Sequence, residues 1–185
     1  MRVFVGSAAG TPVALTKALA EHGPSLRGKG DKVEVTHIHT EGGGEYMHPE
    51  LGDVFKIRNF FTGSNARGAI AAGTAQYAPM FLSEIPLLFR RGYIPLDVAL
   101  ITVSPPDSHG YASLGVSVDV VRSAIQCAKT TIAVINPNVR ARPGARCPGQ
   151  IARRPRGLVA ARAPPSPRPS AFSPLRPGAD APDLW

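Results

Sequence analysis

The sequence has few cysteines, which limits how the chain can be cross-linked. Among 185 residues only Cys127 and Cys147 occur. One lies in the body of the chain and the other near its C-terminus, so a disulfide framework is not expected and a reducing compartment is favoured. A chain of this length can bury a hydrophobic core without such cross-links.

Long hydrophobic runs are also missing. No stretch reaches the roughly 18 apolar residues that a transmembrane helix needs. The first ten residues, MRVFVGSAAG, lack the apolar region of a secretory signal peptide. We therefore expect neither membrane insertion nor secretion.

Acidic residues become scarce towards the C-terminus, so the net charge of +8 is unevenly distributed. Residues 1–138 hold 12 basic and 11 acidic side chains, whereas residues 139–185 hold nine arginines, no lysine and two aspartates. The uniformly basic surface typical of a nucleic-acid-binding domain is therefore absent from the first part. An arginine-rich tail can attract nucleic acid, but Phe172 and Trp185 are its only aromatic residues, and nucleic acid is not an expected partner.

Residues 139–185 differ in composition from everything before them. Of these 47 residues, 32 are Arg, Pro, Ala or Gly. Too little apolar surface is present to offset chain entropy, so the composition predicts a disordered Arg/Pro/Ala-rich tail. Because these four residue types share GC-rich codons, one hypothesis is that the tail comes from an altered reading frame or an alternative exon.

Strand and helix patterns alternate through residues 1–138. The first strand is predicted at residues 2–5 and the first helix at residues 13–23, with Thr11 as its cap and Pro12 in its first turn. Further strands are predicted at 32–37, 54–60, 98–103, 111–115 and 131–135, and further helices at 64–73, 81–89 and 117–129. This order predicts an α/β domain with a mostly parallel sheet flanked by helices.

Three loops that follow predicted strands carry candidate binding groups. GSAAGTP (residues 6–12) can hold an anion on backbone N–H groups, or it can be a plain strand-to-helix turn. In FFTGSNARGA, Thr62, Ser64 and Asn65 either cap a helix or form a polar wall for a small carboxylate. In SPPDSHG, Asp107 and His109 either perform acid–base chemistry or simply build a turn.

Two further patterns are considered and set aside. His37, His39, Glu41 and His48 are metal-ligand types, but their spacing is not that of a standard site, so no metal is expected. No G-x-S-x-G motif is present, so a serine hydrolase is not expected.

Several segments together resemble the acetyl-CoA hydrolase/transferase family, which includes acetate, butyrate and 4-hydroxybutyrate CoA-transferases. The resemblance covers residues 1–138, which match part of the N-terminal domain of the family. It rests on VFVGSAAGTP, FFTGSNARGAIAAG, FLSEIPLLFRRG, IPLDVALITVSPPDSHGYASLGVSVDV and INPN, in that order.

The resemblance implies an enzyme that moves CoA between an acyl-CoA and a small carboxylate. In the family a glutamate attacks the thioester, and an acyl-glutamyl anhydride and then a glutamyl-CoA thioester form. That glutamate belongs to a C-terminal half which this sequence lacks, so no residue of this chain is predicted to be catalytic and the chain alone is expected to be inactive. No bound cofactor is implied, because CoA and acyl-CoA are substrates.

The resemblance also implies a substrate-binding set, a location and partners. The location is cytoplasmic or mitochondrial, and a homo-oligomer or a pairing with a full-length homologue is possible. The alternative hypothesis is a non-catalytic interaction or regulatory protein with a basic disordered tail. The residues that match the family's substrate-facing loops are Gly6, Ser7, Gly10, Thr11, Pro12, Phe61, Thr62, Gly63, Ser64, Asn65, Ser104, Pro105, His109 and Gly110.

Overall fold

Strands and helices alternate along the chain, as the sequence predicts. The computed structural model of the protein describes residues 1–139, 150–151 and 158–162. Short 3₁₀ turns at Gly23–Leu26, Glu45–Met47, Pro49–Leu51 and Ser64–Ala66 complete the connections. The strands are β1 (Arg2–Val5), β2 (Val33–His37), β3 (Phe55–Asn59), β4 (Ala75–Tyr77), β5 (Val98–Val103), β6 (Ala112–Ser113), β7 (Thr130–Ile135), β8 (Gln150–Ile151) and β9 (Leu158–Arg162), and the helices are α1 (Val13–His22), α2 (Arg67–Ala71), α3 (Ile85–Arg90) and α4 (Val121–Cys127).

Seven strands form one sheet in the order β4-β3-β2-β1-β5-β7-β9, and every neighbouring pair is parallel. A separate antiparallel pair joins β6 to β8. The predicted α/β architecture with a mostly parallel sheet is confirmed. Because β2 and β5 lie on opposite sides of β1, the strand order reverses there, and ligands of such sheets bind outside the carboxyl ends of the strands at this point.

Strand β1 separates two hydrophobic cores because successive side chains point to opposite faces of the sheet. Val3 and Val5 belong to the core that includes residues of α1 and α2. Phe4 belongs to the other core, with residues of α3 and α4, and meets Phe89 edge to face with ring centroids 5.6 Å apart. The sheet is therefore covered by helices on both faces.

Three predicted helices are shorter in the structure than in the sequence pattern. The helix expected at 117–129 begins only at Val121, because Asp119 has a φ of +21° and its Oδ1 accepts from the N–H groups of Val120 and Val121. The helix expected at 64–73 is a 3₁₀ turn followed by the five-residue α2, and the one expected at 81–89 begins at Ile85. Strand β4 was not predicted, since three residues are too few for an alternation to show.

Within the predicted tail the structure describes two short strands. β9 pairs with β7 from Thr131↔Leu158 to Ile135↔Arg162, and β8 pairs with β6. The other residues of 140–185, on which most of the predicted disordered tail falls, lie outside the described part of the chain. No helix among the described residues is long and apolar enough to span a membrane.

The two-sided packing of β1 predicts the effect of shortening its aromatic side chain. Phe4→Leu keeps an apolar side chain but removes the edge-to-face contact with Phe89, so the free energy of unfolding should fall by about 1 kcal/mol. Tyr93→Leu is the matched control, since Tyr93 is 70% exposed and its replacement should change stability by less than about 0.5 kcal/mol. Urea unfolding of both variants measures the difference, and equal effects would contradict the packing described.

Candidate functional site

The glycine loop (residues 6–12) follows β1 and folds tightly back on itself. Its Gly6 N–H donates to the carbonyl of Leu100 in β5, and its Gly10 N–H donates to the carbonyl of Ser7. A Cβ on Gly6 would lie 3.2 Å from the carbonyl oxygen of Gly10, and one on Gly10 would lie 3.0 Å from Cβ of Ser117. Both glycines are therefore required by close approaches.

The two hydroxyl side chains of the glycine loop are engaged within the protein. Ser7 is fully buried, and its Oγ accepts from the Ile38 N–H at 3.3 Å. Thr11 donates its hydroxyl to the carbonyl of Ala8 at 2.7 Å and accepts from the Glu41 N–H at 3.0 Å. The prediction that Thr11 caps α1 is wrong, because the position before the helix is Pro12 and no side chain caps it.

The histidine loop (residues 38–42) follows β2 and lies against the glycine loop. Ala8, which has a φ of +49°, donates its N–H to the carbonyl of His39 at 3.1 Å. Together with the Thr11–Glu41 hydrogen bond, this contact fixes the two loops side by side at the carboxyl edge of the sheet.

The asparagine loop (residues 61–65) follows β3 and lies against the other side of the histidine loop. Asn65 donates its side-chain amide to the carbonyls of Thr40 at 2.8 Å and Gly42 at 3.2 Å. The prediction that Ser64 caps the following helix is wrong, because neither the 3₁₀ turn at Ser64–Ala66 nor α2 has a side-chain cap. Gly63 is the residue before the turn, and a Cβ there would lie 3.1 Å from the Asn65 Oδ1.

The proline loop (residues 104–110) follows β5 and is held by local hydrogen bonds. Ser104 is buried, donates to the carbonyl of Pro105 and accepts from the Ser113 N–H at 2.9 Å. Oδ1 of Asp107 accepts from the N–H groups of His109 and Tyr111 at 2.9 and 2.8 Å. Asp107 therefore builds the turn, and the structure supports the turn interpretation of this pair.

The predicted site residues are thus brought together only in part. The glycine and asparagine loops meet through the histidine loop, which the substrate-binding prediction did not include. A cleft of about 430 Å³ beside the glycine loop is lined by Thr11, Pro12 and Lys17 and by Thr102 and Asn136 at the carboxyl ends of β5 and β7. The proline loop lies at the end of the neighbouring strand, and His109 is exposed.

His39 lies at the centre of this arrangement. Its ring meets Phe61 edge to face at 5.5 Å between centroids, and its Nε2 is 3.9 Å from Oε1 of Glu41. Among the described residues no group of three or more His, Cys, Asp or Glu side chains is placed to hold a metal ion. The sequence pattern suggested His39 only as a metal ligand. Its contacts with Ala8 and Phe61 join residues that are far apart in the chain, so no local pattern predicts them.

Beneath the histidine loop lie two buried side chains, His37 and Tyr46. His37 is fully buried against Tyr46, and burial, reinforced by the nearby His39, lowers its pKa to about 3. Burial raises the pKa of Tyr46, whose hydroxyl shares a hydrogen bond of 2.9 Å with Oγ1 of Thr40. A neutral imidazole and a neutral phenol therefore support the loop from below.

Comparison with known proteins assigns the fold to a family. Residues 1–144 match the model of the acetyl-CoA hydrolase/transferase N-terminal domain. The chain belongs to this family. The predicted family resemblance is therefore confirmed, and the residues matched include the glycine, histidine, asparagine and proline loops.

Two curated relatives and one solved structure illustrate the similarity. The chain is 49% identical over 134 residues to the succinyl-CoA:acetate/propanoyl-CoA:succinate CoA transferase of Fasciola hepatica, covering 72% of this chain and 27% of that protein. It is 39% identical over 138 residues to the 4-hydroxybutyrate coenzyme A transferase of Clostridium kluyveri, covering 75% and 31%. The crystal structure of RipA from Yersinia pestis superposes with a TM-score of 0.75 at 26% identity, covering 93% of this chain and 41% of that chain. The chain thus spans less than a third of the length of these curated relatives.

The hydrogen bonds from Asn65 to the histidine loop predict that replacing Asn65 lowers the stability of the chain. Asn65→Ala should lower the free energy of unfolding by about 1–2 kcal/mol, since two carbonyl groups lose their donor. Ser64→Ala is the matched control, because Ser64 is exposed and caps neither helical segment, and it should cost less than about 0.5 kcal/mol. Urea unfolding measures both, and a Ser64→Ala effect as large as that of Asn65→Ala would show that capping holds this loop.

The buried histidine predicts a loss of stability in acid. The pKa of His37 is about 3 in the folded chain, against 6.5 for an ordinary histidine, so between these values only the unfolded chain takes up this proton. The free energy of unfolding should therefore fall as the pH is lowered from 6.5 towards 3, by up to about 1.4 kcal/mol per pH unit from this group.

His37→Phe should flatten that slope, whereas His48→Gln should keep it because the His48 side chain is 61% exposed. Urea midpoints measured from pH 7 to pH 4 give the comparison. A slope unchanged in His37→Phe would assign the acid sensitivity to other groups.

Proposed function

We propose that this protein acts in CoA transfer between an acyl-CoA and a small carboxylate, and that the residues described here form the part that binds the acyl or carboxylate group. The observation that carries this proposal is the meeting of the glycine and asparagine loops across the histidine loop, at the carboxyl ends of β1, β2 and β3. Membership of the family supports the reaction type.

The site residues differ in whether their polar groups are already hydrogen-bonded within the protein. The hydroxyls of Ser7 and Thr11 and the side-chain amide of Asn65 are already used between the loops, so these groups set the shape of the site. The part of the site open to a ligand then consists of loop backbone, the exposed Phe61 and the half-buried His39. The backbone N–H groups of Gly6, Ala8, Gly10 and Thr11 also donate within the protein, so the backbone of the glycine loop helps to set this shape as well.

The acids named in the relatives define the substrates to test first. Succinate, acetate, propanoate and 4-hydroxybutyrate, as the free acid or the CoA thioester, are the proposed range. Butyrate is added because a butyryl-CoA:acetate CoA-transferase of Anaerostipes caccae is 30% identical over 135 residues. All are short acids that a site shaped by three short loops can hold.

Turnover is proposed to need a glutamate beyond the described residues. Glu34, for example, is held by Arg2 at 3.0 Å and Arg58 at 2.7 Å, which keeps its carboxylate in an ion-pair network on the sheet. We propose that the 185-residue chain binds its ligands without turnover, and a homo-oligomer or a longer homologue is the proposed partner for catalysis. The proposed location is the cytoplasm or the mitochondrion.

Calorimetry with acetyl-CoA and acetate tests binding, and a thioester assay with acetyl-CoA and succinate tests turnover. The full chain should bind acetyl-CoA saturably and transfer no CoA. Gly10→Ala should weaken binding by about tenfold, because its Cβ would press on Ser117 and displace the loop. Gly68→Ala in α2, where a Cβ meets nothing within 4 Å, is the matched control and should bind as the parent does.

Absence of acetyl-CoA binding by a folded chain would contradict the proposed function. Saturable transfer by the purified chain would contradict the proposal that it needs a glutamate from elsewhere. If transfer is seen, Glu41→Gln is the next variant, since Glu41 is the carboxylate of the histidine loop and its side chain is 67% exposed.

A further inference from the structure

His39 is the side chain at which the three loops of the site meet. Its backbone carbonyl holds the glycine loop through Ala8, and its ring packs against Phe61 of the asparagine loop. A Cβ on Gly63 would lie 3.6 Å from Cβ of His39, so the asparagine loop passes close over it. The side chain is 30% exposed, which leaves part of the ring open at the surface.

The hydrogen-bonding capacity of His39 is not used up by the protein. Its Nδ1 is buried and has no hydrogen-bond partner, and its Nε2 is 3.9 Å from the Glu41 carboxylate, too far for a hydrogen bond. Because Nδ1 is buried, Nε2 is the ring atom that a group bound from outside would reach. Ser7, Thr11 and Asn65 on the surrounding loops differ in this respect, since their polar groups are engaged.

The neighbours of His39 define the kind of group that would bind there. Phe61 is 57% exposed and offers an apolar face to a short carbon chain. The imidazole offers a donor or an acceptor to an oxygen, and the Glu41 carboxylate lies 3.9 Å from its Nε2. A short carbon chain with an oxygen at its far end matches this combination of apolar wall and polar end.

We propose that His39 recognises the terminal oxygen of a short-chain acid, a carboxylate or a hydroxyl, and so selects such acids over plain alkanoic acids of the same length. This proposal rests on the proposed function, because it names the substrate class of that site. Removal of the terminal oxygen leaves the imidazole without its partner, and sites built around a hydrogen bond discriminate strongly against ligands that lack it.

Three acids of four carbons provide the test: succinate, 4-hydroxybutyrate and butyrate. The full chain is labelled at its five histidines, and NMR follows the ring of each and the backbone amides of Gly10, Thr11 and Asn65 during titration. Succinate or 4-hydroxybutyrate should shift the His39 ring saturably, with a dissociation constant at least about tenfold below that of butyrate. Comparing the first two acids shows whether the terminal group is a carboxylate or a hydroxyl.

Variants of His39 separate recognition from folding. His39→Phe should remove the preference for succinate or 4-hydroxybutyrate over butyrate, and His39→Gln should restore part of it because an amide can also hydrogen-bond. His48→Gln is the control, since that exposed histidine lies outside the three loops. The amide spectrum of each variant reports whether the fold is kept.

Each outcome decides the proposal. Equal affinities for the three acids, or an unchanged preference in His39→Phe, would overturn the role of His39 while the shifted loop amides uphold the proposed function. If neither the acids nor acetyl-CoA shifted those amides, the proposed function would fail and the assignment of His39 would fail with it.

Discussion

The site depends on the hydrogen bonds that hold the histidine loop between its two neighbours. The His39 carbonyl and the Glu41 N–H bind the glycine loop, and the Thr40 and Gly42 carbonyls bind the asparagine loop. A parallel sheet places the ends of β1, β2 and β3 at one edge, but it does not by itself fix the loops that follow. These hydrogen bonds hold the glycine, histidine and asparagine loops together as one surface.

The same loop is supported from within the protein. His37 and Asn59 are opposite each other in the register of β2 and β3, and both are fully buried at the point where the loops begin. Tyr46 covers His37 and reaches Thr40 with its hydroxyl. The loop therefore rests on buried, neutral side chains, one of which, Tyr46, hydrogen-bonds to Thr40.

Much of the fold follows from local patterns in the sequence, whereas the site depends on distant pairings. The strand at Val98–Val103 is visible as an apolar run and the helix at Val13–His22 by its apolar spacing, and Gly6 and Gly10 mark a tight turn. Thr11 was expected to cap a helix, but its partner is the N–H of Glu41, 30 positions away. Asn65 has its acceptors 25 and 23 positions away, and no local pattern predicts such a bond. The helix expected from residue 117 is cut short by the backbone conformation of Asp119.

Hydrogen–deuterium exchange of the full chain, with and without acetyl-CoA, tests most directly whether the three loops act as one binding surface. Ligand should slow amide exchange in residues 6–12, 38–42 and 61–65 together and leave α3, which packs in the core that contains Phe4, unchanged. Protection in only one of these loops, or protection of α3 in their place, would contradict a single binding surface.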